Sequence, residues 1–211
     1  IFTSGATESD NAALLGVAVA AADARRRASG KSVSDFTPHF ITTSIEHEAV
    51  LVPAKKLEST GWRVTYLDPD KQGFVSVDSL QAALSDETVM VSVQMANSEV
   101  GSIQPIAELA SATHAKGALF HTDATQALGK IPVDVRALDV DAASFSAHKI
   151  CGPKGVGALY LKARTPMSEF LGGGRSLLER DRILLTISRN SGRVICVMNG
   201  KGMIPNASST L

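Results

Sequence analysis

Cysteine is scarce in this chain, which has only Cys151 and Cys196 among its 211 residues. Two thiols cannot form the disulfide framework of a small secreted domain, so the composition favours a reducing compartment. Net charge is lacking too, because 21 basic residues balance 21 acidic ones. We therefore expect neither a nucleic-acid groove nor a membrane-binding face. The apolar run 12–22 is too short to span a bilayer.

Several catalytic and nucleotide-binding motifs are absent as well. The chain has no G-x-G-x-x-G turn, no Walker lysine and no G-x-S-x-G nucleophile elbow. It also lacks a set of histidines and cysteines at the spacing of a metal site. These absences argue against a dinucleotide site, an ATP site, a serine hydrolase and a metal centre.

What the chain does have is a regular alternation of strand-like and helix-like segments. Strands are predicted at 39–44, 63–68, 88–95, 118–123, 140–146 and 155–162, and helices at 11–28, 47–61, 76–84 and 106–117. This alternation predicts an α/β fold with a mostly parallel sheet flanked by helices. The opening "IFTSG" is typical of a strand end. We therefore expect the natural N-terminus to be missing, which leaves cytoplasm and mitochondrion open as compartments.

Polar residues follow the predicted strands at four places: Ser4–Thr7, Asn97–Glu99, Asp123–Gln126 and Ser146–Lys149. Ligands of such sheets bind at the carboxyl ends of the strands. Each segment also has an ordinary explanation when it is taken alone. Ser4–Thr7 and Asp123 could simply cap helices, and Lys149 could be a surface charge.

Taken together, these segments match the needs of one cofactor, pyridoxal phosphate. It requires an anion site, a carboxylate at the ring nitrogen, a lysine for covalent attachment and a flat group over the ring. Ser4–Thr7 could hold the phosphate, Asp123 the ring nitrogen and Lys149 the covalent bond. His47 could stack on the ring or move protons. Gln126, three residues after Asp123, could face the same ligand.

Four motifs in chain order resemble the cysteine desulfurase family, which includes the selenocysteine lyases: "FTSGATESDN", "TTSIEHEAVL", "DATQALGKIPVDV" and "SFSAHKICGPKGVGALYL". The resemblance implies a fold-type I, aspartate-aminotransferase-like large domain over residues 1–174, incomplete at both ends. A divergent tail of unassigned structure follows over residues 175–211. The implied reaction removes sulfur or selenium from L-cysteine or L-selenocysteine and leaves alanine. The implied setting is a homodimer that serves iron–sulfur cluster assembly with a sulfur-acceptor or scaffold protein.

The resemblance also implies a role for each motif residue. Lys149 would be the covalent anchor of the cofactor, and His47 would stack on the ring and relay protons. The implied cofactor-binding residues are Ala6 and Thr7 with Ser146 and His148 at the phosphate, Asp123 at the ring nitrogen, Gln126 at the ring hydroxyl, and Ser98. Ser98 stands where the family usually has asparagine, so we expect a weaker or water-mediated contact. Cys151, at a position that is often aromatic in the family, is expected to pack. No metal is implied.

The sulfur-carrying cysteine and the substrate-binding arginine of the family belong to a later loop. Cys196 is a poor substitute, because its apolar surroundings do not favour a thiolate. We therefore expect a truncated or misread copy, with an unrelated reading frame after about Arg175. Two alternatives stay open at this point. One is another fold-type I enzyme such as an aminotransferase, and the other is an inactive fragment that acts only as a binding subunit.

Overall fold

The computed structural model describes residues 1–168 and the backbones of two further strands, Ile183–Ile187 and Val194–Met198. The chain divides into two compact units, Phe2–Phe170 and a second unit of Ile1 with Leu171–Leu211. In the second unit the two strands pair antiparallel. The rest of the predicted tail lies outside the described residues. The domain boundary after residue 174 stays a prediction.

A seven-stranded sheet forms the larger unit. Its strands are β1 (Phe2–Thr3), β2 (His39–Thr43), β3 (Arg63–Leu67), β4 (Thr88–Ser92), β5 (Leu119–Asp123), β6 (Ala142–Ser146) and β7 (Gly157–Leu161). They lie in the order β1-β7-β6-β5-β4-β2-β3. Strands β2 to β6 run parallel, whereas β7 runs antiparallel to β6 and to β1. The predicted mostly parallel α/β sheet is therefore confirmed.

Helical segments connect most of these strands, whereas turns alone connect β5 to β6. They are α1 (Ala6–Ala12), a π-helical turn (Ala13–Val17), α2 (Ala18–Ser29), α3 (Glu48–Ser59), α4 (Val77–Ala83), α5 (Ile106–His114) and a 3-10 turn (Ala147–Ile150). The first alanine-rich helical run ends at Gly30, whose φ of 66° is the left-handed conformation that glycine adopts at little cost. Among the described residues, none of the helices is both long and apolar enough to cross a bilayer.

The core lies where the central strands are covered on both faces. Every residue of β2, β4 and β6 is buried, including polar residues such as His39 and Ser144, so these strands do not show the alternation of a half-exposed sheet. Phe40, Phe120 and Leu14 are among the largest fully buried side chains. Burying one such side chain contributes about 1.5–3 kcal/mol. This packing fixes the ends of the strands, and the candidate site lies at those ends.

Candidate active site

The predicted site residues lie at one edge of the sheet. Strand β1 is antiparallel to β7, and β7 is antiparallel to β6, so β1 runs in the same direction as β2, β4, β5 and β6. The carboxyl ends of these five strands therefore face the same edge. Asp123 ends β5, and Lys149 follows β6, the neighbouring strand, in which Ser144 pairs with Asp123. No hydrogen bond or ion pair joins Asp123 to Lys149 within the described residues.

The residues of the predicted phosphate site lie where β1 and β6 end and β7 begins. Gly157 of β7 pairs with Thr3 on one side and with Ser146 on the other. A Cβ atom on Gly157 would lie 2.6 Å from the backbone of Gly5, so only glycine allows this approach. A Cβ atom on Gly5 would lie 3.9 Å from the Ser146 Oγ atom. The turn that leads into Ala6–Thr7 is thus next to Ser146.

A hydrogen bond joins the two other members of this predicted phosphate site. The distance between Ser146 Oγ and His148 Nδ1 is 2.7 Å. Ser146 is buried, whereas His148 and Thr7 are exposed. At the start of the α1 segment, the backbone N–H and hydroxyl of Ser4 both donate to Glu8 Oε2, at 2.7 and 2.6 Å. These bonds hold the turn while the Thr7 hydroxyl stays accessible.

Lys149 lies on the 3-10 turn that directly follows β6, and its side chain is exposed. Within the described residues its Nζ atom forms no hydrogen bond and no ion pair, so the amine is accessible for a covalent bond. Cys151 ends this turn in a left-handed conformation with a φ of 60°, and its thiol is free and exposed. The expectation that Cys151 packs is therefore wrong.

Asp123 is partly buried, and only one of its carboxylate oxygens has a partner in the described part of the chain. Its Oδ1 atom accepts the backbone N–H of Thr125 at 2.9 Å, which leaves Oδ2 available. Nearby, the Gln126 Oε1 atom accepts a hydrogen bond from Lys130 Nζ at 2.6 Å. This bond fixes the orientation of the amide, so the NH₂ group of Gln126 remains to donate to a ligand.

Ser98 and Gln126 line one cavity of about 250 Å³, together with Lys130. The loop that presents Ser98 is held by its neighbour Asn97. The Asn97 Nδ2 atom donates to the Ile45 carbonyl at 3.1 Å, and its Oδ1 atom accepts two backbone N–H groups of its own turn. Ser98 lines the cavity beside Gln126, and its hydroxyl donates a long hydrogen bond to Glu99 Oε1 at 3.4 Å.

His47 caps helix α3. Its Nδ1 atom accepts the backbone N–H of Ala49 at 3.1 Å, while the ring remains exposed. A neutral imidazole that accepts at Nδ1 carries its proton on Nε2. The side chain therefore has a structural role at Nδ1 and an available proton at Nε2.

The structure adds three buried titratable residues that the sequence interpretation did not use as site residues. Asp10 and His121 are fully buried, and Glu46 is 6% exposed. The Glu46 Oε1 atom accepts the Thr43 hydroxyl and the Gln94 N–H, both at 2.8 Å. Burial raises the pKa of Glu46 to about 8, and the charge of Asp123 adds to this effect, while the two donors oppose it.

Burial is also the main cause of the pKa shifts of the other two. It raises the pKa of Asp10 well above its usual value, and the charge of Asp123 raises it further. Burial lowers the pKa of His121 to about 3. One signal could have identified Asp10 from sequence. It precedes buried Leu14 by four residues and buried Val17 by seven, which is the spacing of an apolar helix face.

The chain is similar to proteins of known family. The family model described as "Aminotransferase class-V" matches residues 1–184. The cysteine desulfurase IscS of Clostridium botulinum (strain Kyoto / Type A2) is 46% identical over 173 residues, and that of Pseudomonas entomophila (strain L48) is 48% identical over 176 residues. Each alignment covers 82% of this chain but 41% of the relative. The chain thus spans about two fifths of the length of these relatives.

Solved structures agree with these relatives. A structure described as "NIFS-LIKE PROTEIN" has a TM-score of 0.72 and 40% identity, over 82% of this chain and 45% of that one. "SspA in complex with cysteine" has a TM-score of 0.71 and 35% identity, over 82% and 47%. The resemblance predicted from the four motifs is confirmed, and so is the aminotransferase-like fold. The chain belongs to the class-V aminotransferase family.

Proposed function

We propose that this chain carries the pyridoxal-phosphate site of a cysteine desulfurase, with L-cysteine or L-selenocysteine as substrate and alanine as product. One observation carries the proposal. Lys149, whose amine has no partner in the described region, and Asp123, whose Oδ2 atom has none, follow neighbouring parallel strands at one edge of the sheet. A lysine and a carboxylate in this arrangement are what the cofactor requires.

The residues present fit the cofactor. A phosphate needs hydroxyl, imidazole and backbone donors. The turn supplies the exposed Thr7 hydroxyl, and the hydrogen bond between Ser146 Oγ and His148 Nδ1 leaves the other ring nitrogen of His148 for the anion. Gly157 keeps this turn open to a ligand, because a side chain there would collide with the backbone of Gly5. At the other end of the site, Asp123 supplies the carboxylate.

Each residue then has a chemical task. The cofactor supplies an electron-withdrawing ring that makes bonds at the substrate Cα atom easier to break. Lys149 Nζ would hold the cofactor covalently, and Asp123 Oδ2 would hold the proton on its ring nitrogen. Gln126, with its amide fixed by Lys130, would donate to the ring hydroxyl oxygen. His47 would stack on the ring and move a proton at its Nε2 atom.

The family comparisons support cysteine as the substrate. The curated relatives quoted above are named cysteine desulfurases, and the related SspA structure contains cysteine.

We propose a homodimer that passes sulfur to an acceptor or scaffold protein. The large domain is proposed to span residues 1–174 and a divergent tail residues 175–211. The free thiol of Cys151 supports a reducing compartment, either cytoplasm or mitochondrion.

The decisive experiment is a visible absorption spectrum of the full chain mixed with pyridoxal phosphate. We expect a shifted band in the wild type that is stable to dialysis, and its loss in Lys149→Ala. Lys154→Ala is the matched control, because Lys154 is also exposed and lies five residues away. Identical spectra for the wild type and Lys149→Ala would contradict the proposed covalent attachment.

The product of the reaction separates the proposed activity from an aminotransferase. L-Cysteine is incubated with the loaded chain, and alanine, sulfide and keto acid are measured. A desulfurase gives alanine and persulfide sulfur, which an added thiol reductant releases as sulfide, whereas an aminotransferase gives a keto acid. A chain that binds the cofactor through Lys149 but forms neither product would be a binding subunit rather than an enzyme.

A further inference from the structure

Asp10 is a fully buried acid whose carboxyl oxygens have no short hydrogen bond in the described part of the molecule, although the nearby Ser144 hydroxyl acts to lower its pKa. Both of its carboxyl oxygens are buried and unpartnered. The nearest basic atom is His121 Nε2, 3.6 Å from Asp10 Oδ1, which is too far for a hydrogen bond. His121 is already occupied, because its Nδ1 atom lies 2.8 Å from Ser92 Oγ and its Nε2 atom 2.9 Å from Ser144 Oγ.

This geometry favours the uncharged acid. A buried carboxylate without a short hydrogen bond loses its hydration and regains little of it, which costs more than the protein can usually compensate. The Ser144 hydroxyl favours the charged form of Asp10, but its effect is smaller than that of burial and of the Asp123 charge. An Asp10–His121 ion pair would need a close, hydrogen-bonded contact, and the 3.6 Å separation does not provide one. The charge of Asp123 and that of Glu46, when it is ionised, act in the same direction, since both raise the pKa of Asp10.

The position of Asp10 connects the two ends of the candidate site. Helix α1, which carries Asp10, begins at the predicted phosphate turn. His121, its nearest basic neighbour, lies on β5 two residues before Asp123, so both side chains point to the same face of the sheet. Any charge on Asp10 would therefore act on the carboxylate that faces the ring nitrogen.

We propose that Asp10 is a positioning residue that lies against His121 of β5 as a neutral acid and thereby leaves Asp123 as the carboxylate charge that holds the proton on the ring nitrogen. This inference rests on the proposed function for its role towards the cofactor. A second part does not depend on the cofactor: the protonation of Asp10 should respond to the charge on Asp123. The two parts are tested separately.

The first test measures the Asp10 carboxyl by ¹³C NMR in the full chain with carboxyl-labelled aspartate, and Asp10→Asn assigns the resonance. We expect the resonance to keep the position of the protonated acid at about pH 6, where ordinary aspartates are ionised. In Asp123→Asn, its titration midpoint should fall, because the repelling charge is gone. The proposal is overturned if Asp10 is ionised at that pH or if Asp123→Asn leaves its midpoint unchanged.

Stability gives a second measurement of the same proton. A raised pKa means that the folded state holds a proton that the unfolded chain releases, so this stabilisation is complete below about pH 4 and is lost as the pH rises. Asp10→Asn mimics the neutral acid, and its melting temperature should increasingly exceed that of the wild type above that pH. Asp23→Asn, an exposed aspartate on α2, is the matched control. If the difference in melting temperature between Asp10→Asn and the wild type does not grow with pH, Asp10 is not a neutral acid.

The role of Asp10 towards the cofactor is tested by measuring how pyridoxal phosphate binds. Added pyridoxal phosphate should lower the Asp10 titration midpoint in the wild type, since a protonated ring nitrogen offsets the charge of Asp123. Asp10→Asn should bind the cofactor within about threefold of the wild type, whereas a tenfold loss would overturn the positioning role. If the wild type shows no Lys149-dependent spectrum, the proposed function and this role fail together, and the NMR titration still decides the protonation of Asp10.

Discussion

The imidazole of His47 caps helix α3 by accepting the backbone N–H of Ala49 at its Nδ1 atom, 3.1 Å away. The same ring is exposed at the edge where Asp123 and Lys149 lie. One side chain thus serves the helix with one nitrogen and is available to a ligand with the other. The direction of the ring is set by the helix rather than by the ligand, which means that it is in place before a cofactor binds.

The two roles of His47 can be separated by two substitutions. His47→Ala should lower the free energy of unfolding by about 1 kcal/mol, because it removes the cap. His47→Asn keeps a capping side chain and should retain most of that stability. Both should lose most of the cysteine-dependent turnover, since neither has an imidazole Nε2. Denaturant unfolding and alanine release measure the two effects, and full turnover in His47→Asn would contradict proton transfer by the ring.

Gly157 should not tolerate a side chain. In Gly157→Ala the new Cβ atom would lie 2.6 Å from Gly5 and 2.7 Å from Thr3 Oγ1, so strands β1 and β7 must separate. We expect a loss of about 1–3 kcal/mol in unfolding free energy, as for other overpacked sites, together with weaker binding of pyridoxal phosphate.

The matched control for that change is Gly16→Ala. There the nearest atoms, on Met167 and Ser168, lie 3.5 Å from the new Cβ atom, which is an ordinary contact. Because Gly16 is helical, alanine should be neutral or stabilising by up to about 1 kcal/mol. If both variants lose the same unfolding free energy, the collision with Gly5 does not explain the loss in Gly157→Ala.

Glu46 should make the protein less stable as the pH rises. Its pKa is raised to about 8 in the folded state, so its stabilising contribution is complete below about pH 4.5 and is lost as the pH rises towards 8. Glu46→Gln keeps an oxygen for Thr43 and Gln94 and removes this dependence. The variant should exceed the wild type by a few kcal/mol at pH 8, since each pKa unit is worth about 1.4 kcal/mol.

Urea unfolding at intervals between pH 5 and pH 8 measures this dependence. Glu108→Gln, which removes an exposed carboxyl from α5, is the control for a general change of charge. If Glu108→Gln gains a similar amount of unfolding free energy at pH 8, burial of Glu46 is not the cause of the pH dependence.

The contribution of His39 to stability should depend on pH in the opposite direction to that of Glu46. It is buried between Thr88 and Thr65, whose hydroxyl oxygens lie 2.8 and 2.9 Å from its two ring nitrogens. Burial, with a further contribution from the charge of Arg63, lowers its pKa to about 4. The neutral ring therefore stabilises the fold above about pH 6.5, and this contribution is lost as the pH falls towards 4.

His39→Gln should be less stable at pH 7 by about 1–3 kcal/mol, because the two hydroxyls lose their partner. Its stability should nevertheless fall less steeply than that of the wild type between about pH 6.5 and pH 4. In Arg63→Gln, proton NMR of the imidazole should show a higher pKa for His39. An unchanged titration there would rule out a contribution from the Arg63 charge.

Local sequence predicted the elements well, because strands and helices follow from the spacing of apolar residues along the chain. The predicted strand at 140–146 contains β6, and the predicted helix at 106–117 contains α5. The motif residues at the carboxyl ends of the strands could also be placed at one edge, since parallel strands point the same way. The exposure of Cys151 could not be predicted, because it depends on the surroundings of the 3-10 turn in the folded domain and not on its neighbours in the sequence.

The sequence by itself determined the family, the order of strands and helices along the chain, and which polar residues follow the strands, because these depend on neighbours in the chain. Only the tertiary structure decided that Asp10, Glu46 and His121 are buried near Asp123. Their positions are up to about a hundred residues apart in the sequence. The environment that sets their protonation exists only after strands and helices pack and water is excluded from between them.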